Sequence, residues 1–159
     1  MVLDRLRKAG LFSNAKKCVF DQSEVEYVGY IINRDGICID PKKLNTVIDW
    51  PTPGSLKEVQ SFPGFTNFYC CFIQNYARIM LPLNWFTTKA AKGAPFKWTP
   101  EANTAFKVLC DVVLSAPVLR HFEPFYPSTL STDASDFDIT GVLHQPDDQG
   151  LLHTVTFFS

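Results

Sequence analysis

The sequence lacks the marks of several large protein classes. It has no run of about 18 apolar residues, so we expect no membrane-spanning helix and no membrane partner. Residues 1–8 are charged and no long apolar stretch follows them, which argues against a secretory signal peptide. The five cysteines contain no C-x-x-C pair. This argues against structural zinc and favours reduced thiols in an intracellular setting, cytoplasmic or nuclear.

The composition is that of a packed chain with an uneven charge distribution. Of its 159 residues, 46% are hydrophobic and 14% aromatic, which suits one ordinary domain or two small ones. Residues 61–120 carry six Lys or Arg against two acidic residues, whereas residues 121–159 carry six acidic residues and no Lys or Arg. These two segments have two interpretations. Either both are ordinary solvated surfaces, or the basic middle segment binds phosphates and the acidic C-terminal segment binds metal ions.

Five helices are expected, and most of them carry a start signal. Asp40 and Pro41 are a cap and a first-turn residue, Ser55 and Glu58 are spaced as a capping box, and Thr99 precedes a further first-turn proline. A first helix runs from about residue 4 to 9, and a fourth from about 77 to 88. The expected buried positions are Leu44, Val47, Ile48, Leu56, Val59, Phe62, Thr66, Tyr69, Ile73, Ile79, Leu83, Phe86, Ala102, Ala105, Phe106, Leu109, Val112 and Val113.

Strands are expected on both sides of the helices. Before them, alternating segments at 18–20 and 24–32 are followed by a hairpin turn at 33–36 and a returning strand at 37–39. After the last helix a short strand at 118–119 is expected, then a three-stranded meander with strands at about 129–134, 139–145 and 151–158. The fold class is therefore α+β, with a hairpin, a small helical bundle, and a helix followed by an antiparallel sheet.

Asp133 lies within the first strand of the meander, where aspartate is disfavoured. Either it is a strand-end carboxylate that faces water, or it has a chemical role. The spacing alone leaves both open. The single histidines His121, His144 and His153 favour surface or capping roles over catalysis.

Several ordered segments resemble one known family. The meander contains TDASDF, GVLHQ and LLHTVTFFS, and the preceding chain contains VEYVGYII, GICIDPKKL, DWPTPGSLKEVQSFPGF and PFKWTPEANTAF. Together they resemble the reverse transcriptase and ribonuclease H region of gypsy-type LTR retrotransposon polyproteins. The resemblance implies that residues 1–39 are the palm end with a primer-grip-like hairpin. It also implies that residues 40–92 are a thumb-like bundle and residues 93–159 the N-terminal part of a ribonuclease H-like domain.

The resemblance also implies partners and site residues. The partner would be an RNA–DNA hybrid or a primer-template duplex, together with the remainder of the polyprotein. Asp133 would be one carboxylate ligand of catalytic Mg²⁺, and the site would be incomplete without others. The residues expected to contact nucleic acid are Tyr27, Val28, Gly29, Tyr30, Lys57, Gln60 and Asn67.

The sequence departs from the family in the third helix. Pro63 stands where the family usually has leucine, and Cys70 and Cys71 stand where it usually has two arginines. An interior proline is expected to be tolerated only if the helix breaks near Gly64. We expect a fragment that is not catalytic alone, whose intact polyprotein has RNA-directed DNA polymerase and hybrid-cleaving activity. A non-catalytic nucleic-acid-binding module and a pseudogene product remain alternatives.

Overall fold

The computed structural model of the protein describes residues 2–88, 95–135 and 138–159. Helices and antiparallel strands occupy separate stretches of these ranges, which confirms the predicted α+β class. The sequence predicts a linker at 93–95 and a turn at 135–136, and residues 93, 94 and 136 of these segments lie outside the described residues. No helix in the described ranges is both long and apolar enough to cross a bilayer.

The N-terminal part is a short helix followed by an irregular segment. Helix α1 spans Val2–Lys8 and ends at Gly10, whose φ of +67° is left-handed. The strand predicted at 18–20 is wrong, because a 3₁₀ turn at Ala15–Lys17 comes before it and no strand forms there. The Asn14 side chain accepts a hydrogen bond from a backbone N–H of this turn, a local bond that favours a turn over a strand.

The first sheet has three antiparallel strands within residues 24–39, where the sequence predicted two. Strand β1 is Glu24–Tyr27, β2 is Tyr30–Asn33 and β3 is Ile37–Ile39, in the order β1-β2-β3. The continuous strand predicted over 24–32 is therefore wrong, since the chain reverses at residues 28–29. The predicted turn at 33–36 is confirmed: the Asn33 side chain accepts the backbone N–H groups of Asp35 and Gly36.

Four further helices form the centre of the molecule. They are α2 Pro41–Ile48, α3 Leu56–Thr66, α4 Tyr76–Asn84 and α5 Pro100–Leu114. The three predicted caps are confirmed, because the side chains of Asp40, Ser55 and Thr99 each accept a backbone N–H of the first turn. The predicted burial of Ile48 is wrong, as that side chain is 64% exposed on the outer face of α2.

Helix α3 carries its interior proline without a break. It continues through Pro63 and Gly64 to Thr66, so the predicted interruption near Gly64 is wrong. The chain then tightens into a 3₁₀ helix over Asn67–Phe72. The apolar positions stay in register across this change, and Phe62 on α3 and Tyr69 beyond it are both buried. Core packing therefore holds a backbone that local propensity disfavours.

One hydrophobic core joins these helices. Its members come from α2, α3, the 3₁₀ helix, α4 and α5, with additions from β3 and from the segment after α5. Phe96 and Trp98 pack as a pair with ring centroids 6.4 Å apart, and both rings contact Phe86. The core is thus continuous from α2, α3 and α4 into the segment at 95–119.

The second sheet is the predicted antiparallel meander. Strand β4 is Thr129–Ala134, β5 is Ile139–Pro146 and β6 is Leu152–Phe158, in the order β4-β5-β6. A register shift at residues 143–144 bends the β5–β6 pair. Gln145 is fully buried, and its amide bonds the backbone of Glu123 through both N–H and C=O.

The chain after α5 links the two sheets. Leu119 pairs with Ile37 of β3 through two backbone hydrogen bonds of 2.7 and 2.8 Å, so the strand predicted at 118–119 is a single bridge. The next residue, Arg120, donates its backbone N–H to the carbonyl of Thr154 in β6. Gly36 lies against this link, and a Cβ there would lie 2.1 Å from the carbonyl oxygen of Leu119.

Candidate nucleic-acid interface

The tip of the β1–β2 hairpin is a two-residue turn. Val28 and Gly29 have φ values of +49° and +84°, the sign pattern of a type I′ turn. A β-branched residue with positive φ is uncommon and strained, so the fold rather than local preference sets Val28 here. Tyr27 and Val28 are 63% and 62% exposed. The predicted contact segment is therefore a protruding apex.

Gly29 is the point where this apex rests on the helices. A Cβ at Gly29 would lie 2.9 Å from the Tyr69 hydroxyl, so any other residue would have to displace the Tyr69 side chain and would also adopt an unfavourable positive φ. The Gly29 carbonyl accepts the backbone N–H of Asp40, at 3.1 Å, just before α2. The hairpin tip is thus fixed against the start of α2 and the 3₁₀ helix.

Tyr30 anchors the hairpin and does not belong to the exposed surface. Its hydroxyl donates to the Phe68 carbonyl at 2.6 Å, and its ring stacks on Phe68 and Phe72 with centroids 4.9 and 5.7 Å away. Burial, and then the neighbouring Cys71, Tyr69 and Cys70, raise the Tyr30 pKa to about 12. The structure therefore gives Tyr30 a positioning role within the predicted contact segment.

A cleft opens between the hairpin tip and α3. Its volume is about 720 Å³, and it lies between the apex and the aromatic side of the helical bundle. The lining residues are Glu26, Val28, Gly29, Lys43, Gly64, Phe65, Phe68 and Tyr69. The structure thus brings two of the predicted contact residues together with a cation and several aromatic rings that sequence reasoning missed.

Lys43 is the missed cation. It is the third residue of α2, and its side-chain carbons lie 3.7 and 3.8 Å from the position of a Cβ on Gly29. Its neighbour Lys42 is held by Glu26 at 2.9 Å, a hydrogen bond that raises the Lys42 pKa. Within the described ranges no ion pair involves Lys43. Among the described residues, the Lys43 ammonium group at the cleft has no ion-pair partner, whereas the Glu26 carboxylate is paired with Lys42.

The predicted contacts on α3 form one exposed stripe. Lys57, Gln60 and Asn67 are exposed and are spaced by three and seven residues, so they follow one side of the helix and its 3₁₀ extension. Gly64 lies between them. It lines the cleft described above and a second cleft of about 430 Å³ beside α4. A Cβ on Gly64 would meet no atom within 4 Å, so the surface of the helix has an open space at this residue.

Asp133 lies apart from this surface on the outer strand β4. It pairs with Thr140 of β5, and all six residues of β4 are exposed. Of the nearby carboxylates, Asp138 is held by the Ser135 hydroxyl at 2.6 Å. Among the described residues no group of three or more His, Cys, Asp or Glu side chains is placed to hold a metal ion. The donor set around Asp133 therefore does not fit Mg²⁺, which prefers several oxygen ligands in octahedral geometry.

The histidines have structural partners. His121 approaches the Asn33 carbonyl at 2.7 Å through Nε2, so this nitrogen carries the proton. His153 bonds Asp147 at 2.9 Å, and His144 lies 3.4 Å from the Thr154 hydroxyl. These contacts agree with the surface and capping roles expected from the sequence.

The chain is similar to known proteins in its sequence. Residues 98–159 match the family model described as an RNase H-like domain found in reverse transcriptase. Among curated proteins, the Transposon Tf2-3 and Tf2-4 polyproteins of Schizosaccharomyces pombe are each 34% identical to the chain over 158 residues. The match covers 99% of this chain and 12% of each relative, so the chain spans about an eighth of their length. The chain is thus similar to a segment of these retrotransposon polyproteins, and its residues 98–159 are similar to an RNase H-like domain of reverse transcriptases.

Solved structures show the same fold. A foamy viral protease-reverse transcriptase in complex with double-stranded DNA superposes with a TM-score of 0.73 at 24% identity, over 99% of this chain and 32% of the viral one. The complex of the foamy viral enzyme with an RNA/DNA hybrid gives 0.69 at 23% identity, over 89% and 19%. At these identities the likeness establishes the fold alone.

Proposed function

We propose that the chain belongs to the reverse transcriptase and ribonuclease H region of a gypsy-type LTR retrotransposon polyprotein, and that it holds a primer-template or RNA–DNA hybrid duplex by its phosphates. The observation that carries the proposal is the meeting of the hairpin apex, Lys43 and Gly64 at one cleft. Its partners would be the duplex and the rest of the polyprotein, inside the cell. The relatives' names and the nucleic acids bound by the solved viral enzymes support this proposal.

The cleft and the α3 stripe have the chemistry that a phosphate backbone requires. Lys43 supplies an unpaired cation beside a backbone turn, and Lys57 supplies a second at the start of α3. Gly64 presents no side chain and a Cβ there would meet no atom within 4 Å, so a sugar-phosphate chain can approach the protein closely at this residue. Gln60 and Asn67 add neutral hydrogen-bonding groups, which are common at phosphates and sugars. Such contacts position a duplex without reading its sequence.

Duplex binding can be tested by its salt dependence. A fluorescently labelled RNA–DNA hybrid should bind the purified chain with an affinity that falls linearly on a logarithmic salt scale. Lys43→Ala and Lys57→Ala should each weaken binding and lower the salt slope by about one. Lys107→Ala is the matched control, because Lys107 is exposed on α5, away from the cleft and the stripe. Binding that is absent, or equally sensitive to Lys107→Ala, would reject the proposal.

We further propose that the chain alone binds the hybrid without cleaving it. Ribonuclease H chemistry requires carboxylates that hold metal ions, and Asp133 is the one family ligand that the described residues contain. Asp133 would contribute to a complete site only when other carboxylates join it. Incubation of a labelled hybrid with the chain and Mg²⁺ should leave the RNA strand intact. Magnesium-dependent cleavage that Asp133→Asn abolishes would show that the site is already complete.

A further inference from the structure

The loop at residues 121–128, the aromatic loop, presents three aromatic side chains to solvent. Phe122 is 52% exposed, Phe125 98% and Tyr126 43%. The loop connects Arg120 to strand β4, and none of its three rings packs into the hydrophobic core. Large apolar side chains that are grouped on a protein surface mark a candidate contact surface for a partner.

One buried side chain holds the aromatic loop in shape. Gln145 of β5 is fully buried, and its side-chain carbonyl accepts the backbone N–H of Glu123 at 2.9 Å. Its amino group donates to the Glu123 carbonyl at 2.9 Å and to the Ser128 hydroxyl at 3.1 Å. The backbone N–H of Tyr126 also donates to the Glu123 carbonyl, at 3.1 Å, which closes a turn. The loop is thus pre-organised, so a partner that binds it loses little free energy in ordering it.

The charges next to the rings are negative. Residues 121–159 contain six acidic residues and no Lys or Arg. Glu123 lies within the aromatic loop, and Asp148 accepts a hydrogen bond from the Tyr126 hydroxyl at 3.4 Å. In the part of the chain that the structure describes, neither carboxylate forms an ion pair. Both carboxylates are therefore open to a cationic group.

Two arginines lie near the aromatic loop without neutralising Glu123. Arg34 and Arg120 line a cavity of about 540 Å³ together with Glu123 and Asp147. Neither arginine forms an ion pair among the described residues, and Asp147 is held by His153 at 2.9 Å. The cavity thus contains charges of both signs, whereas the loop that carries the exposed rings contains an acidic residue and no Lys or Arg.

Rings beside carboxylates disfavour nucleic acid and favour a cation. Proteins that bind single strands place aromatic rings along a positively charged groove, because the phosphates must be neutralised. Carboxylates next to the rings would instead repel phosphates. The face of an aromatic ring is negative and attracts cations, and a guanidinium group can stack on a ring while it pairs with a carboxylate. Arginine side chains therefore fit both features of this surface.

We propose that the aromatic loop binds a basic segment of a polypeptide, whose arginine side chains stack on Phe122 and Phe125 and pair with Glu123 and Asp148. This surface is separate from the one proposed for the duplex, because the cleft at Lys43 shares no residue with the loop. The docking of a protein partner is thus a second function of the chain, and it does not depend on duplex binding.

The test measures binding of the purified chain to three fluorescently labelled peptides of equal length. The first peptide alternates arginine with glycine, the second lysine with glycine and the third glutamate with glycine. The arginine peptide should bind most tightly, and the lysine peptide more weakly at the same charge, because an ammonium group lacks the flat face that stacks on a ring. The glutamate peptide should not bind.

A variant at Phe125 tests the stacking contact. Phe125→Ala should weaken binding of the arginine peptide by about two- to fivefold, the effect of one exposed cation–π contact. Its melting temperature should not change, because the Phe125 side chain is almost wholly exposed. Phe12→Ala is the matched control, since Phe12 is as exposed as Phe125 and lies in the segment before β1.

A variant at Glu123 tests the ion pair. Glu123→Gln should weaken binding of the arginine peptide and make it less sensitive to salt, because one attractive charge is lost. Asp49→Asn removes the same charge from an exposed residue at the end of α2 and should leave the affinity unchanged.

Four results would overturn the proposal. Equal affinities for Phe125→Ala and the wild type would show that the ring takes no part. Equal losses for Glu123→Gln and Asp49→Asn would show that net charge alone attracts the peptide. An RNA–DNA hybrid that binds Phe125→Ala less tightly than the wild type would make nucleic acid the occupant of the loop. A dimer that Phe125→Ala dissociates in sedimentation would make a second copy of the chain the occupant.

Discussion

The Ser159 hydroxyl accepts a hydrogen bond from the backbone N–H of Ala77, with 3.0 Å between the two atoms. Ala77 lies in the first turn of α4, and Ser159 directly follows β6. The residue before α4, Asn75, has a left-handed φ of +57°, and its side chain forms no capping bond. A residue 82 positions away therefore supplies the cap and joins the second sheet to the helical core.

Replacing Ser159 should lower stability through this cap. Ser159→Ala removes the acceptor for the Ala77 N–H, at a cost of about 1 kcal/mol, the usual value for a lost helix cap. For a chain of this size the melting temperature should fall by about 2–4 °C. Ser159→Thr should retain most of the stability. Ser61→Ala is a control, because the Ser61 hydroxyl bonds only carbonyls of its own helix. Equal melting temperatures for Ser159→Ala and the wild type would show that water serves the N–H equally well.

Tyr30 should make the protein sensitive to alkali. Its pKa is raised to about 12 in the folded chain, chiefly by burial, while an unfolded tyrosine ionises near 10. Below about pH 10 both states keep the proton and the stabilisation is fully present. As the pH rises from about 10 to about 12 the unfolded chain ionises first, so stability is lost.

Tyr30→Phe tests this directly. The variant should lose about 1 kcal/mol at neutral pH, because the hydrogen bond to the Phe68 carbonyl is gone. Its stability should then decline less steeply in alkali than that of the wild type. Urea midpoints measured from neutral pH to about pH 12 give both quantities. Tyr69 and Tyr76 also have pKa values raised by burial, so some alkaline loss should remain. Parallel curves for the variant and the wild type would contradict the role assigned to Tyr30.

The helix starts could be predicted from the sequence because each cap is a local interaction. Asp40, Ser55 and Thr99 bond N–H groups two or three residues away, so the pattern of residue types contains the whole interaction. The hairpin at 28–29 could not be predicted in this way. Val28 disfavours the positive φ it adopts, and the alternation of strand residues continues across the turn. The resemblance placed contacts at this segment, and the structure shows that it turns there and that Gly29 lies against Tyr69.

The candidate site was predicted only in part, because some of its residues are brought together by packing between segments that are distant in the sequence. Lys57, Gln60 and Asn67 follow from helical spacing on one segment, so their shared exposure was accessible to sequence reasoning. Lys43 was not, because its place at the cleft depends on how the hairpin folds back over α2. Tyr30 carries no sequence signal that separates an anchor from a ligand contact. Its partners Phe68 and Phe72 belong to a distant 3₁₀ helix.

The pair Asp147 and His153 should stabilise the β5–β6 turn at neutral pH and lose this contribution in acid. The hydrogen bond from His153, and then the backbone N–H of Leu151, lower the Asp147 pKa below its ordinary value near 3.8. Stability from this carboxylate is therefore present above about pH 4 and lost as the pH falls through the folded pKa. Asp147→Asn should destabilise the protein at neutral pH and flatten its acid unfolding curve. Asp148→Asn serves as the control, since Asp148 accepts one contact at 3.4 Å.

Gly64 should show a conflict between stability and binding. Gly64→Ala places a methyl group in open space on an interior helix position, which should stabilise α3 by about 0.5–1 kcal/mol. The same methyl group would narrow both clefts that Gly64 lines, so affinity for the hybrid should fall. Thermal melts and the salt-dependent binding assay measure the two effects separately.

A matched substitution distinguishes contact from a general effect of helix stability. Thr104→Ala also adds helix propensity, but Thr104 is exposed on α5 and lines neither cleft. It should raise the melting temperature slightly and leave affinity unchanged. If Gly64→Ala stabilises the chain and binds the hybrid as tightly as Thr104→Ala does, then the nucleic acid does not approach α3 at Gly64. The duplex would then have to be held by the hairpin apex and Lys43 without the helix stripe.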